Sequence, residues 1–273
     1  MGKALGTVAV AIAMLMLSAG AAVAMTGGTP VTEDRTAPWV ATIAYRGEQP
    51  LTDRTLCGGV LIAPDRVLTA AHCIDPKYNG QVSETREVYL NARQLSGHTA
   101  QQRRITRADM LPGYEILPSP VNPDDPFRSS AKRDLAVLTL DRPADGIRPL
   151  PVAAHAARPG TPVSFFSHGM SEPKPPWTTD VLQRGELTML PAPDCVAGTP
   201  AVVDGDSVRC AGGPKVTACG RDSGSPLVAY RHGRPRLVGV FSFAGETAGK
   251  GCGEPSPAYF ADAPRFRQWM GAS

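Results

Sequence analysis

From residue 39 onward no long stretch of the chain keeps a helical period, and this constrains the fold more than any other feature of the sequence. The apolar runs are short, rich in β-branched residues and separated by Gly, Pro and Asp. They include "WVATIAY" (39–45), "GGVLIA" (58–63), "REVYLNA" (86–92), "DLAVLTL" (134–140) and "TPVSFF" (161–166). "VLQRGELTML" (181–190), "PLVAY" (226–230), "RLVGVFSFA" (236–244) and "AYFADA" (258–263) continue the series. Runs of this kind, punctuated by 28 Gly and 27 Pro, predict an all-β barrel or sandwich. One short helix is expected, over about 264–271, where Pro264 suits the first helical position. Two Pro-rich segments, 112–133 and 169–180, read as surface loops, places where inert linkers and substrate contacts both occur.

Ahead of this β-rich region, residues 1–24 read as a cleavable export signal. Lys3 provides a positive start, Leu5 to Leu17 form an apolar run too short for a membrane span, and Ala22-Val23-Ala24 supplies a small-x-small cleavage site. With the signal removed, the product is expected to be secreted, with no membrane association and enough residues for one large domain or two small barrels. It carries 27 basic against 25 acidic residues, too even a balance to argue for nucleic acid or an anionic surface. Six cysteines in an exported chain favour three disulfides over metal ligation, and none of their spacings is that of a zinc knuckle.

Three separated stretches carry chemistry together: "VLTAAHC" (67–73), "RDLAVLTL" (133–140) and "CGRDSGSP" (219–226). Each alone has a bland reading: His72 beside a disulfide, Asp134 at a strand start, Ser223 in a turn. Jointly they contain what acyl transfer needs. A serine hydroxyl needs a positioned base, imidazole titrates near working pH, and a buried carboxylate fixes its tautomer and stabilises the imidazolium. His72, Asp134 and Ser223 also stand in one of the known chain orders for such a triad.

On Thr69-Ala70-Ala71-His72-Cys73 and Asp222-Ser223-Gly224-x-Pro226, the chain resembles the trypsin/chymotrypsin-like serine proteases, from "MTGGTP" (25–30) to "FRQWM" (266–270). The resemblance implies two six-stranded antiparallel β-barrels, the first over about 25–145 and the second over about 146–263, with the triad in the cleft between them. It implies disulfides Cys57–Cys73, Cys195–Cys210 and Cys219–Cys252, and a serine, Ser242, supporting Asp134. It implies a secreted endopeptidase acting on polypeptides through an acyl-enzyme, without metal or cofactor, monomeric, and open to protein protease inhibitors. A catalytically silent binding homologue and a secreted esterase are the alternatives.

The same resemblance places Met25-Thr26-Gly27-Gly28 where a freshly cut N-terminus folds inward, so the α-amino group of Met25 is expected to pair with Asp222. The predicted signal cut falls directly before Met25, which would make a separate propeptide unnecessary. Thr217 falls at the floor of the primary specificity pocket, with Ser242, Phe243, Ala244 and Ala258 along it. An uncharged, narrowed pocket implies small or medium apolar side chains rather than Lys or Arg. The stretch from Gly245 to Gly251 is longer than usual for the family.

The chain departs from the family at Arg221, where glycine is usual and where a backbone N–H joins that of Ser223 in the oxyanion hole. The side chain is expected to point outward into solvent, or to form a cationic rim favouring acidic substrate residues. Ser225 and Ser167-His168-Gly169 depart more mildly. His98, His155 and His232 have no catalytic neighbours and are expected to be surface or structural residues.

Overall fold

The computed structural model describes residues 25, 27–125, 128–170, 178–244 and 256–271. Residues 1–24, read above as an export signal, lie outside the described residues, as do most of the 169–180 segment, the Gly245–Gly251 stretch and Cys252.

Among the described residues, fifteen strands carry the fold. Those of the first half are β1 (Thr29–Pro30), β2 (Val40–Tyr45), β3 (Thr55–Ala63), β4 (Arg66–Thr69), β5 (Arg86–Leu90), β6 (Gln101–Met110), β7 (Glu115–Leu117), β8 (Ser130–Lys132) and β9 (Ala136–Leu140). The second half supplies β10 (Pro162–Ser167), β11 (Gln183–Met189), β12 (Val208–Gly212), β13 (Pro226–Arg231), β14 (Arg234–Ala244) and β15 (Ala258–Ala261). The β-branched runs form strands because their side chains stand clear of the extended backbone and pack on the pleated surface.

Two closed barrels result. The first has strand order β2-β3-β4-β9-β6-β5. The second follows β11-β10-β13-β14-β15-β12 and closes where Thr188 and Met189 of β11 meet Gly212 and Ala211 of β12. All these pairings are antiparallel. Closure removes the free edges that a flat sheet would expose.

The barrels share more than a border. β1, at the start of the chain, pairs with β11 and so extends the second barrel's sheet. Met25 lies in that barrel's core beside Val163, Phe165, Leu187 and Val216. At the other end of the chain, Phe266, Trp269 and Met270 join the apolar cluster of the first barrel, and Arg66 donates to the Met270 carbonyl at 3.0 Å. That cluster crosses the seam: Leu68, Leu135 and Leu138 pack in one body with Phe166, Val228, Leu237 and Val240 of the second barrel. Trp39 meets Phe166 edge-on there, centroids 5.3 Å apart. Such burial, at about 25 cal/mol per Å² of apolar area, holds the two halves at one fixed angle.

Two expectations change. The C-terminal helix reduces to a 3₁₀ turn at Ala263–Phe266, with turns continuing to Gly271 at φ +58°. Asp262 makes no side-chain cap there, and so short a segment cannot offset the cost of helix nucleation. Segment 112–133, read as a loop, folds partly into a hairpin in which β7 pairs with β8, Glu115 opposite Lys132. Those two side chains form an ion pair at 2.6 Å.

Candidate active site

His72 sits in a single 3₁₀ turn, Ala71–Cys73, that follows β4. The turn is bonded to β3 by the Cys57–Cys73 disulfide. Asp134 precedes β9 and is only 1 % exposed. Its carboxylate receives the His72 backbone N–H at 2.9 Å and faces ring Nδ1 at 2.7 Å. An ionised carboxylate only accepts, so Nδ1 must carry the proton and Nε2 is the ring nitrogen that can accept one. The His72 ring keeps 26 % of its surface exposed.

The third partner of Asp134 comes from the other barrel. Ser242 donates to Oδ2 at 2.5 Å. It can do so because β14 bulges there: Phe241 pairs with Phe260 and Phe243 with Tyr259, leaving Ser242 as the extra residue. A bulge re-aims one side chain, and here it turns a hydroxyl onto a buried charge. Burial alone would raise the Asp134 pKa, but His72 and Ser242 outweigh it and the net shift is downward. For His72, burial opposes the charged ring, yet the Asp134 carboxylate prevails and the pKa is raised.

Ser223 stands in the turn that leads into β13. The turn is docked on the first barrel, since Gly58 of β3 donates its N–H to the Ser223 carbonyl at 2.7 Å. Gly224 donates to Phe241 at 2.8 Å and has φ +82°. A Cβ there would lie 2.3 Å from both the Gly58 carbonyl and Thr69 Oγ1, so only glycine lets the turn approach so closely. Through Gly58, Cys57 and Cys73, the turn holding Ser223 is tied to the strand and disulfide that carry His72.

Asp222 is fully buried. Its Oδ2 accepts the Cys219 N–H at 2.6 Å, whereas Oδ1 has no hydrogen-bond partner among the described residues. Gly169 packs directly on the carboxylate: a Cβ at that position would fall 1.9 Å from Oδ1. Burial pushes the Asp222 pKa up to about 7, against the smaller opposing effects of Ser167 and the Cys219 N–H. Met25 is also fully buried, and its side chain fills the space above Gly185.

At Arg221 the structure differs from the expected solvated side chain. The backbone takes φ +64°, the left-handed region that costs a residue with a Cβ roughly 1–2 kcal/mol. The side chain is half-buried, and its guanidinium donates through Nη1 to the Thr55 carbonyl at the start of β3. It has turned inward because a carbonyl of the first barrel lies within its reach.

Thr217 is buried, and Ala244 and Ala258 are cross-strand partners. Phe243 stacks on Tyr259, centroids 4.6 Å apart, and Tyr259 bonds the Cys195 carbonyl at 2.7 Å. Cys195 and Cys210 form the second disulfide. Cys219 is also disulfide-bonded, and Cys252, the partner the resemblance implies, lies outside the described residues. The sulfurs of Cys57 and Cys73 lie close to His72, but as a disulfide they offer no thiolate to a metal.

Sequence reasoning missed two sets of contacts. One is the Arg221–Thr55 contact; the other joins two departures from the family, as Ser225 donates to Ser167 Oγ at 2.9 Å. His168 is buried between the carbonyls of Ala92 (2.8 Å) and Thr179 (3.1 Å), and burial pushes its pKa down to about 4. His98, His155 and His232 are exposed.

A family model described as Trypsin matches residues 25–270. Mouse kallikrein 1-related peptidase b3 is 32% identical over 248 residues, covering 87% of this chain and 85% of its own. Human kallikrein-8 is 27% identical over 238 residues, covering 85% and 80%. In three dimensions the chain is similar to mouse neuropsin, a serine protease, with TM-score 0.70 and 23% identity over 89% of this chain and 97% of that one. The last is a likeness of fold.

Proposed function

Starting from a chain that belongs to the trypsin family and is a serine endopeptidase, we propose that Ser223 is its nucleophile, His72 its general base and Asp134 the orienter of that base. The observation that carries this reading is the Asp134–His72 pairing at 2.7 Å, which places the ring proton on Nδ1 and makes Nε2 the basic nitrogen. Ser223 Oγ attacks the scissile carbonyl as His72 takes its proton. The imidazolium, stabilised by Asp134, then hands that proton to the leaving amine. Water repeats the sequence on the acyl-enzyme and releases the second product.

Charge developing on the carbonyl oxygen is received by the backbone N–H groups of Arg221 and Ser223. The positive φ at Arg221 supports this reading, because it is the conformation a glycine would take there. Loss of one such donor costs about 10²–10³ in rate. In the primary pocket, Thr217, Ala244 and Ala258 bring no charge, which favours small or medium apolar side chains over Lys or Arg. Each further buried CH₂ contributes only about 0.8 kcal/mol, so the preference is graded.

Export and activation are one event in this proposal. Cleavage after Ala24 releases the chain and frees the α-amino group of Met25, which pairs with Asp222 and steadies the turn. Two features support it: the buried position of Met25 in the second barrel and the Asp222 oxygen with no partner among the described residues. None of the described helices is long and apolar enough to cross a membrane.

Ser223→Ala is the direct test. Hydrolysis of a peptide amide and labelling by a fluorophosphonate should fall at least 10⁵-fold with the fold unchanged. Unchanged activity would refute the assignment. A correctly processed wild-type chain that never labels would mark a binding protein, and one that cleaves a matched ester but no amide would mark an esterase.

A further inference from the structure

We propose that the Arg221 side chain is a positioning residue, a tether that holds its own backbone N–H in the oxyanion-binding orientation by gripping Thr55 of the first barrel. The inference rests on the reading of the Ser223 turn as catalytic, and three observations carry it.

First, the turn from Arg221 to Gly224 needs left-handed backbone at both ends, φ +64° and +82°, and supplies a glycine at only one. With a Cβ at position 221, the peptide unit there is biased toward φ < 0, where the N–H points elsewhere. Second, the guanidinium is committed to the protein. It donates to the Thr55 carbonyl, 166 residues away, although burial disfavours its charge more than nearby Asp53 favours it. Third, Thr55 and Gly58 belong to the same strand, and Gly58 N–H binds the Ser223 carbonyl at 2.7 Å. Residues 221 and 223, the two proposed oxyanion donors, are therefore each fastened to β3, one by a side chain and one by the main chain.

The side chain offsets the penalty its own Cβ creates. A family member with glycine at this position needs no such tether, because glycine takes φ > 0 without strain. Here the backbone geometry of the hole depends on a contact between the two barrels. Behind it a small cavity lies between the barrels, lined by Thr42, Thr55, Ser167, His168, Arg221 and Ser225.

The test compares processed wild type with Arg221→Ala, Arg221→Gly and Arg221→Lys on a peptide amide. Arg221→Ala keeps the Cβ and loses the tether, so kcat should fall about tenfold or more with KM within about twofold. Arg221→Gly frees the backbone and should lie between Ala and wild type. Arg221→Lys, which can still donate to the Thr55 carbonyl, should recover to within about threefold of wild type. Melting temperatures should stay close together, which separates positioning from a general role in stability. Should Arg221→Ala fail to fold, the order of wild type, Lys and Gly decides the matter. The proposal is overturned if Arg221→Ala keeps wild-type kcat, if Lys is as slow as Ala, or if the loss lies in KM alone. Fluorophosphonate labelling of wild type and Ser223→Ala runs alongside. If wild type labels no faster than Ser223→Ala, the proposed function itself fails, whereas a labelled wild type with an indifferent Arg221 removes only the tether.

Discussion

Asp134 and Asp222 are both almost wholly withdrawn from water, yet their surroundings push them in opposite directions. Asp134 receives a ring N–H, a backbone N–H and a hydroxyl, and its pKa is lowered. Asp222 receives the Cys219 N–H, keeps an oxygen with no partner among the described residues, and is raised to about 7. A buried charge is tolerable only when its partners are in place. The chain as synthesised supplies every partner of the first carboxylate. For the second, the proposed partner is an amine that does not exist until a peptide bond is cut.

The largest effect should come from spoiling the complete carboxylate. Asp134→Asn should lower kcat about 10⁴-fold, because the amide stabilises neither the required tautomer nor the imidazolium. Loss of the carboxylate should also move the acid limb of kcat/KM to lower pH, since Asp134 is what raises the His72 pKa. Steady-state rates across pH check both.

Next comes the incomplete carboxylate, read through stability. In the uncleaved chain Asp222 titrates near 7, whereas in the unfolded chain it titrates near 4. Between those values the unfolded state has released a proton that the folded state retains, so stability falls as pH rises. The loss approaches about 4 kcal/mol by pH 7.5. Denaturant unfolding of Ser223→Ala protein, with and without the leader, should show this slope only in the uncleaved form. Equal slopes would break the comparison.

A smaller effect is expected at the bulge. Ser242→Ala removes one of three hydrogen bonds to Asp134, worth about 1.5 kcal/mol for a charged acceptor, and should lower kcat roughly tenfold. A loss as large as that of Asp134→Asn would mean that Ser242 also holds the strand.

Much of this arrangement was legible in the sequence, and what was not has physical causes. The strands that alternate or run apolar, such as Val40–Tyr45 and Pro226–Arg231, were plain. β6 was not, because the residues it buries are Arg103 and Ile105 and most of the rest is polar. The buried Arg103 is satisfied by the Pro143 carbonyl and the Asp145 carboxylate, partners no local pattern reveals. The β7–β8 hairpin hid behind its prolines. His72, Asp134 and Ser223 could be picked out because each sits in a short motif whose chemistry is local. The Arg221–Thr55 and Ser225–Ser167 contacts could not, since they join residues 166 and 58 positions apart.

The crossed ends of the chain set the timing of its assembly. Thr29 reaches the Arg184 carbonyl, 155 residues downstream, while Arg66 reaches Met270, 204 residues downstream. The opening strand must therefore wait, unpaired, until most of the second barrel has been made, and the first barrel lacks its packing against Phe266, Trp269 and Met270 until the last residues arrive. Folding that depends on such distant pairings is slow, and it resists completion on a partial chain. An emerging polypeptide of this kind cannot bring its two barrels fully together before nearly all of it has been synthesised.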